Sequence, residues 1–188
     1  MVLDELKDSL IKAPIVKKKD YFYVVHPITD GVPEITPKLL NEVVNELYKR
    51  ILKCGKIEKI VTMEAMGIPL ATSLSNIMKI PFVIIRKRSY GLPGEYVVEQ
   101  KTGYSKSNLY INGLKKGDNI VIVDDVLSTG GTLKAVLSAL KKIGVNIIGI
   151  FIVVDKGNVA KNIIEEFKVE LDVLVTINVI DGKVVIDN

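Results

Sequence analysis

Residues 121–132 read Val-Ile-Val-Asp-Asp-Val-Leu-Ser-Thr-Gly-Gly-Thr, and an amphipathic segment, residues 133–144, follows them directly. The β-branched apolar run is typical of a buried strand, and the apolar spacing of the second segment is typical of a helix. The loop between them contains small hydroxyl residues and two adjacent glycines. Because the first N–H groups of a helix are free and its dipole is positive there, this loop favours a bound phosphate. The candidate phosphate-binding residues are Ser128, Thr129, Gly130, Gly131 and Thr132.

Two acidic residues, Asp124 and Asp125, stand at the end of the predicted strand. Carboxylates there can bind sugar hydroxyls, help to organise a divalent cation or stabilise a positive charge. The alternative interpretation is a simple turn with a helix cap beside two exposed charges. The sequence lacks Gly-x-x-x-x-Gly-Lys-[Ser/Thr], Gly-x-Gly-x-x-Gly and Gly-x-Ser-x-Gly. Nucleoside-triphosphatase, dinucleotide-binding and serine-hydrolase interpretations are weakened accordingly.

Apolar strands alternate with amphipathic helices on both sides of this segment. The pattern predicts strands over 57–63, 80–87, 119–125, 146–154 and 173–180, and helices over 37–53, 68–78, 132–143 and 160–167. Such alternation indicates a mainly parallel sheet flanked by helices, whose ligands bind at the carboxyl ends of the strands. Four connections follow strands on that edge, and we expect them to converge: Glu64–Gly67, Arg86–Arg88, Asp124–Thr132 and Asp155–Gly157.

The two ends of this pattern carry other features. A short amphipathic helix is predicted at the N-terminus, then three lysines at 17–19 interpreted as a solvated run, then a strand or extended cover over 21–28. Residues 87–118 interrupt the alternation with five glycines and one proline among charges, and residues 95–100 and 108–111 are predicted to form the arms of a hairpin. A long excursion from a compact domain is commonly functional.

Composition limits the class of protein. The 188 residues, 48% of them hydrophobic, predict a single domain over 1–188, and the net charge of +4 suits an anionic small ligand without requiring a polynucleotide. A single cysteine, Cys54, excludes an internal disulfide. No basic signal peptide and no apolar run of membrane-spanning length is evident, so we expect a cytoplasmic protein with neither nucleic-acid nor membrane partners.

The combination of the acidic pair with residues 128–132 resembles the 5-phosphoribosyl-1-pyrophosphate (PRPP) binding motif of type I phosphoribosyltransferases. The resemblance covers about residues 57–157 and implies the α/β fold of that family: a mainly parallel central sheet flanked by helices, a mobile loop, and a small hood over the base. It implies that residues 128–132 hold the 5′-phosphate and that Asp124 and Asp125 face the ribose as the catalytic pair.

The resemblance also assigns a pyrophosphate site. Glu64, Ala65, Met66 and Gly67 look like the family's pyrophosphate loop, which often contains a cis non-proline peptide. Related adenine enzymes often have arginine where Met66 stands, so the cations are expected from elsewhere; the candidates are Arg86, Lys87 and Arg88. Residues 87–107 look like the mobile loop, to which Lys101 and Tyr104 would belong. The alternative for these basic residues is solvated loop charge.

The reaction implied is attack of a base nitrogen on the anomeric carbon of PRPP, with displacement of magnesium-bound pyrophosphate. The whole sequence most resembles archaeal hypoxanthine phosphoribosyltransferases, in which residues 1–35 would supply the N-terminal helix and the hood, including Val25 and His26. A structural, hydrogen-bonded role is the alternative for His26. Gly103 replaces the glutamate of adenine enzymes and Ser128 the aspartate of bacterial and animal hypoxanthine-guanine enzymes. The expected partners are PRPP, a purine base, Mg²⁺ and a second copy in a homodimer.

Three alternatives stay open at this point. The first is adenine as the base, and the second is orotate, because orotate phosphoribosyltransferases share the Gly-Ile-Pro-Leu-Ala-Thr run of residues 67–72. The third alternative is a regulator that binds PRPP or a purine without catalysis. The segment from Tyr90 to Gly94 favours the purine branch, and the few residues before Lys17 are too short for an added DNA-binding domain.

Overall fold

A computed structural model describes residues 3–18, 21–102, 105–157 and 159–187. The helices are α1 (Asp4–Ile11), α2 (Pro27–Asp30), α3 (Pro37–Ile51), α4 (Gly67–Met78), α5 (Gly131–Ile143) and α6 (Val159–Phe167). The strands are β1 (Ile15–Lys18), β2 (Tyr21–Val24), β3 (Lys59–Met63), β4 (Phe82–Ile85), β5 (Tyr96–Thr102), β6 (Ser105–Ile111), β7 (Asn119–Leu127), β8 (Asn146–Lys156), β9 (Leu171–Ile180) and β10 (Lys183–Asp187).

The central sheet has the order β10-β9-β8-β7-β3-β4. Every neighbouring pair from β9 to β4 is parallel, and only β10 pairs in the antiparallel sense. The α/β prediction with a mainly parallel sheet is therefore confirmed. In such a sheet the segments that follow β3, β4, β7 and β8 all emerge at one edge.

Alternate residues of the central strands face opposite layers, which explains why their sequences are apolar throughout. In β7, Val121 and Val123 pack in a core with α1, α3 and α4, whereas Ile120 and Ile122 pack with α5 and α6. The hairpin of β5 and β6 adds Val98, Leu109 and Ile111 to the core on the side of α5 and α6. Helices thus cover both faces of the sheet, as predicted.

Three local expectations were incomplete or wrong. Residues 21–28 do not form one strand: β2 ends at Val24, and His26 caps the short helix α2, whose first residue is Pro27. Proline is preorganised for that position. The solvated interpretation of the lysine run was incomplete: Lys17 is exposed, but Lys17 and Lys18 also belong to β1, which pairs with β2. Strand β10 was not predicted; Asp181 and Gly182 connect it to β9 with positive φ angles of 49° and 70°.

The predicted hairpin within residues 87–118 is confirmed, with Tyr96 to Thr102 paired antiparallel to Ser105 to Ile111. No helix among the described residues is long and apolar enough to cross a membrane.

Candidate active site

The connections predicted to converge do meet at the carboxyl edge of the sheet. Glu64 follows β3 and bonds to Arg86, which follows β4. Gly67 lies against Asp124 of β7, and Asp155 of β8 is in register with Leu127 of β7. The strand order places β7 between β3 and β8, so its terminal residues occupy the centre of the edge.

A cavity of about 200 Å³ lies where β7 leads into α5. Its lining includes Asp124, Ser128, Thr129, Gly130 and Thr132. Helix α5 begins at Gly131, and the start of a helix presents backbone N–H groups that can donate to a ligand. The dipole of the helix adds partial positive charge at the same place. Size, donors and charge together suit a phosphate group.

Gly130 has a left-handed backbone with φ = 75°. A Cβ atom at this position would lie 2.9 Å from Cγ1 of Val159 and 3.1 Å from Cδ1 of Ile163. Helix α6 therefore packs so closely on the loop that only glycine fits, whereas the adjacent Gly131 would meet nothing closer than 3.8 Å. Gly130 is therefore required for close packing of α6, whereas Gly131 leaves space beside the N-terminus of α5.

Asp124 and Asp125 are both buried, with 9% and 7% of their surface exposed. Burial, followed by the charge of Asp125, raises the pKa of Asp124 well above its usual range. Burial raises the pKa of Asp125 to about 6, and Asp30 adds to this increase while Lys156 opposes it. Two adjacent buried carboxyl groups can accept and share protons or bind the hydroxyl groups of a sugar.

Asp124 Oδ1 and Thr62 Oγ1 are the two buried side-chain atoms without a hydrogen-bond partner in the described part of the chain. Both lie against Gly67, where a Cβ atom would be 2.0 Å from Thr62 Oγ1 and 2.6 Å from Asp124 Oδ1. An unpaired buried oxygen is unfavourable and is commonly explained by a ligand, an ion or a water molecule. Asp124 therefore has unused capacity for a hydrogen bond or a cation.

The loop after β3 has the expected backbone feature, since the peptide bond between Glu64 and Ala65 is cis. The Glu64 carboxylate accepts hydrogen bonds from Arg86 Nε at 2.6 Å and from the Lys87 N–H at 3.2 Å. The Arg86 hydrogen bond, then the Lys87 N–H, keep the pKa of Glu64 below its ordinary value despite some burial. Met66 instead packs against the hood, since its Sδ and Cε would lie 3.3 Å from a Cβ atom at Gly31.

The other basic residues after β4 lie close to the start of the predicted mobile loop. The guanidinium groups of Arg86 and Arg88 lie 5.7 Å and 5.0 Å from the ring centre of Tyr90. Lys87 is exposed and contributes its backbone N–H to Glu64. Lys101 is in β5, but its side chain is outside the described part of the chain, and Tyr104 lies outside the described residues.

Glu95 organises the turn that leads into β5. Its carboxylate accepts hydrogen bonds from Ser89 Oγ, from the N–H groups of Tyr90 and Gly91, and from Asn112 Nδ2. These donors, Asn112 first, lower the pKa of Glu95 to about 2.

His26 lies inside the N-terminal segment, with 1% of its surface exposed. Its Nδ1 accepts from the Ile28 N–H at 3.2 Å, and its Nε2 is 2.9 Å from Ser9 Oγ. Burial lowers the pKa of His26 to about 4, although Asp30 opposes the decrease. Both ring nitrogens are therefore used within the segment, as the structural alternative expected. Val25 is half-buried beside it, and its N–H donates to Pro14 O.

The structure adds three residues that the sequence analysis did not single out: Tyr23, Asp30 and Lys156. Tyr23 donates to Asp30 at 2.5 Å, while Lys156 Nζ lies 3.4 Å from Val24 O and 5.0 Å from the Tyr23 ring centre. Lys156 follows Asp155, whose carboxylate accepts from the N–H groups of Val159 and Ala160. The end of β8 thus anchors both α6 and the hood. Of the three residues, only Lys156 could have been identified from the sequence, because it lies at the end of a predicted strand.

No three His, Cys, Asp or Glu side chains in the described ranges are grouped to hold a metal ion. The unpartnered Oδ1 of Asp124 fits one contact to a cation, directly or through water. These residues therefore fit a magnesium ion that takes most of its oxygen ligands from water or from the substrate and only one or two from the protein.

Comparison with known proteins gives a consistent assignment. The sequence model of the phosphoribosyl transferase domain matches residues 34–182. A protein of Methanobacterium lacus named hypoxanthine/guanine phosphoribosyltransferase is 56% identical over 99% of this chain and 97% of its own length. A protein of the same name from Methanocaldococcus infernus is 53% identical over 97% of this chain and 99% of its own length.

Solved structures support the fold. Adenine phosphoribosyltransferase from Thermoanaerobacter pseudethanolicus superposes with a TM-score of 0.74, at 22% identity, over 93% of this chain and 99% of that chain. Adenine phosphoribosyltransferase from Leishmania donovani superposes with a TM-score of 0.76, at 18% identity, over 93% of this chain and 79% of that chain. At this identity the likeness concerns architecture and not the choice of base.

Proposed function

The chain belongs to the phosphoribosyltransferase family, and from that membership we propose that it transfers the 5-phosphoribosyl group of PRPP to hypoxanthine and guanine. The products are IMP or GMP and pyrophosphate, so the enzyme acts in purine salvage. The observation that carries the choice of base is the identity of 50–56% with archaeal proteins named for hypoxanthine and guanine, over almost the whole chain.

We assign the 5′-phosphate to the N-terminus of α5. The backbone donors of residues 128–132 bind its oxygens, and the space beside Gly131 lets the backbone approach them. Asp124 and Asp125 face the ribose hydroxyl groups and hold the sugar while the bond at the anomeric carbon changes. Positioning of this kind supplies much of the rate acceleration when no covalent nucleophile is needed.

The pyrophosphate leaving group lies on the other side of the ribose in this proposal. The loop Glu64–Gly67 donates backbone N–H groups to it, and the cations Arg86, Lys87 and Arg88 attract its negative charge. When bound, Mg²⁺ neutralises charge on the leaving pyrophosphate. Asp124, whose Oδ1 has no hydrogen-bond partner among the described residues, and the adjacent Asp125 would contact that ion in this proposal. A glycosidic bond breaks through an oxocarbenium-like state, and Asp125, whose pKa of about 6 leaves it ionised above neutral pH, supplies negative charge that stabilises positive charge on the sugar.

The base is expected beneath the hood formed by the N-terminal segment. Val25 lines the hood in this proposal, and His26 keeps it in shape through its bonds to Ser9 and Ile28. The 6-oxo group of hypoxanthine or guanine needs hydrogen-bond donors, which backbone N–H groups can supply.

Residues 87–107 are proposed to close over the site and exclude water, with Lys101 and Tyr104 on the closing part. Limited proteolysis tests this function: PRPP with magnesium should slow cleavage in these residues severalfold, and unchanged cleavage would contradict it. We further propose a cytoplasmic homodimer with no nucleic-acid or membrane partner, in which residues 1–188 form one catalytic domain.

The experiment that tests the function is a panel of separate reactions with PRPP and magnesium. Hypoxanthine, guanine, adenine, xanthine and orotate are offered one at a time, and nucleotide and pyrophosphate are measured together. Turnover with hypoxanthine and guanine supports the proposal. Turnover with adenine alone or orotate alone would overturn the choice of base but retain the family. PRPP binding without turnover would instead support a regulator.

A further inference from the structure

Glu64 holds an unusual place for a carboxylate, at the centre of the proposed pyrophosphate site. Its Oε2 accepts both the Nε–H of Arg86 at 2.6 Å and the backbone N–H of Lys87 at 3.2 Å. The Glu64 side chain is 25% exposed and the Arg86 side chain 39% exposed. A negatively charged group from solution can therefore reach the same donors.

Those donors are the type that binds phosphate. A guanidinium and a backbone N–H bind carboxylate and phosphate oxygens in similar geometries. The loop itself offers no cationic side chain, because its residues are Glu64, Ala65, Met66 and Gly67. An incoming pyrophosphate therefore depends on the cations after β4, and one of them is already paired with a carboxylate.

We infer that Glu64 is a built-in competitor of the pyrophosphate group, occupying the Arg86 and Lys87 donors in the free enzyme and giving them up when PRPP binds. The inference deepens the proposed function and rests on it. Binding must break the two hydrogen bonds of Glu64 and bring phosphate oxygens close to its like charge. Glu64 therefore weakens the binding of PRPP and equally of the product pyrophosphate, and in this way promotes release of the product.

Arg86 has a second support that keeps it in place during the exchange. Its guanidinium group lies 5.7 Å from the ring centre of Tyr90, at the start of residues 87–107. Its backbone also pairs with Tyr110, through hydrogen bonds of 3.0 Å and 2.8 Å. Loss of the Glu64 carboxylate should therefore free Arg86 without disordering it.

The test uses Glu64→Gln, which keeps the shape of the side chain and removes its charge. The probe is inorganic pyrophosphate without metal, measured by calorimetric titration of the full chain. One exposed charged hydrogen bond corresponds to about a three- to tenfold change in affinity, and we expect pyrophosphate to bind tighter by that factor. Ribose 5-phosphate, which lacks the pyrophosphate group, should bind the variant and the wild type equally.

Glu58→Gln is a matched control. Glu58 also accepts a backbone N–H, from Asn119 at 3.0 Å, and pairs with a lysine, Lys56, at 3.4 Å. It precedes β3 and so lies at the opposite edge of the sheet from Glu64. Its variant changes the net charge by the same amount, and we expect it to leave pyrophosphate affinity unchanged.

Equal or weaker pyrophosphate binding by Glu64→Gln would overturn the inference and would assign Glu64 to orienting Arg86. Retained ribose 5-phosphate binding shows that the variant is folded, and Glu64→Ala, which removes the carboxylate entirely, must change pyrophosphate binding in the same direction. A wild type that binds pyrophosphate but forms no nucleotide with any base would overturn the proposed function and not this inference. A wild type that fails to bind pyrophosphate would overturn the inference.

Discussion

Gly67 and Asp124 are so close that a Cβ atom at position 67 would lie 2.6 Å from the Asp124 carboxylate oxygen Oδ1. The two residues belong to different proposed subsites, because Gly67 is the last residue of the pyrophosphate loop and the first of α4, whereas Asp124 faces the proposed ribose site. The absence of a side chain at position 67 therefore lets the two subsites meet.

Gly67→Ala should reduce both stability and activity. The added methyl would also lie 2.0 Å from Oγ1 of Thr62, which is fully buried and has little space to move. Overpacking of this kind costs about 1–3 kcal/mol of unfolding free energy. A displaced Asp124 should lower kcat/KM by about a hundredfold. Thermal melting and steady-state kinetics measure the two effects.

Gly55→Ala is the control for this substitution. Beyond the adjacent residues of the chain, no atom lies within 4 Å of the place that a methyl group at position 55 would occupy, so this variant should change stability by less than about 0.5 kcal/mol. Wild-type behaviour of Gly67→Ala would show that the pyrophosphate loop and Asp124 do not constrain each other.

Asp125→Asn should stabilise the protein at pH 8. The pKa of Asp125 is raised to about 6, so the folded state favours the protonated carboxyl group more than the unfolded state does. Its contribution to stability is present at low pH and is lost as the pH rises from about 4 through about 6. Removing the charge should therefore raise the melting temperature at pH 8 and change it little at pH 4, while nucleotide formation falls sharply.

Asp118→Asn should have the opposite effect and lower the melting temperature at pH 8. Although burial alone would raise the pKa of Asp118, hydrogen bonds from Lys59 and from the Lys115 N–H lower it overall. Its stabilising contribution is therefore present at pH 8 and is lost under acidic conditions. The melting temperatures of both variants at pH 4 and pH 8, relative to the wild type, test the two predictions. If both variants melted below the wild type at pH 8, Asp125 would not be an unfavourable buried charge.

Gly131→Ala should separate binding from folding. Its methyl group would contact nothing closer than 3.8 Å, and alanine is favoured over glycine in helices by up to about 1 kcal/mol, so stability should be unchanged or higher. The same methyl would occupy the space next to the helix N-terminus, and we expect affinity for ribose 5-phosphate to fall about tenfold or more through lost phosphate hydrogen bonds. Calorimetric titration and thermal melting give the two quantities.

Gly130→Ala, by comparison, should lose stability as well as affinity. Its left-handed backbone and its close contact with Val159 both disfavour a side chain. Unaltered ribose 5-phosphate binding by Gly131→Ala would exclude the α5 N-terminus as the phosphate site.

His26 should remain neutral across the physiological range. Its pKa is lowered to about 4 by burial, and because it is the sole histidine of the chain, its ring signals can be assigned without ambiguity. A proton NMR titration should show no ionisation between pH 8 and pH 5.5. A midpoint near the ordinary value of 6.5 would show that the hood is open to water.

The sequence predicted those parts of the fold that depend on local patterns. The strand, loop and helix around residues 121–132 were correct because apolar periodicity and paired glycines act over a few neighbouring residues. The convergence of loops at one sheet edge was correct because it follows from parallel strands alone. By contrast, β10 was missed although Asp181 and Gly182 form a recognisable hairpin signal between alternating apolar residues.

The contacts that are not local could not be predicted in this way. The Glu64–Arg86 pair depends on β3 lying beside β4, and the cluster of Tyr23, Asp30 and Lys156 depends on the hood approaching the end of β8. Neither the spacing of residues nor the composition indicates which residues distant in sequence come into contact. They arise only when the register and the layers of the fold are known.

A competition reaction tests the central claim most directly. Hypoxanthine, guanine and adenine are mixed at equal concentration with limiting PRPP and magnesium, and the nucleotides formed are separated and quantified. The amounts report the ratios of kcat/KM for the three bases. The account predicts that IMP and GMP make up nearly all of the product; a product that is mostly AMP would contradict it.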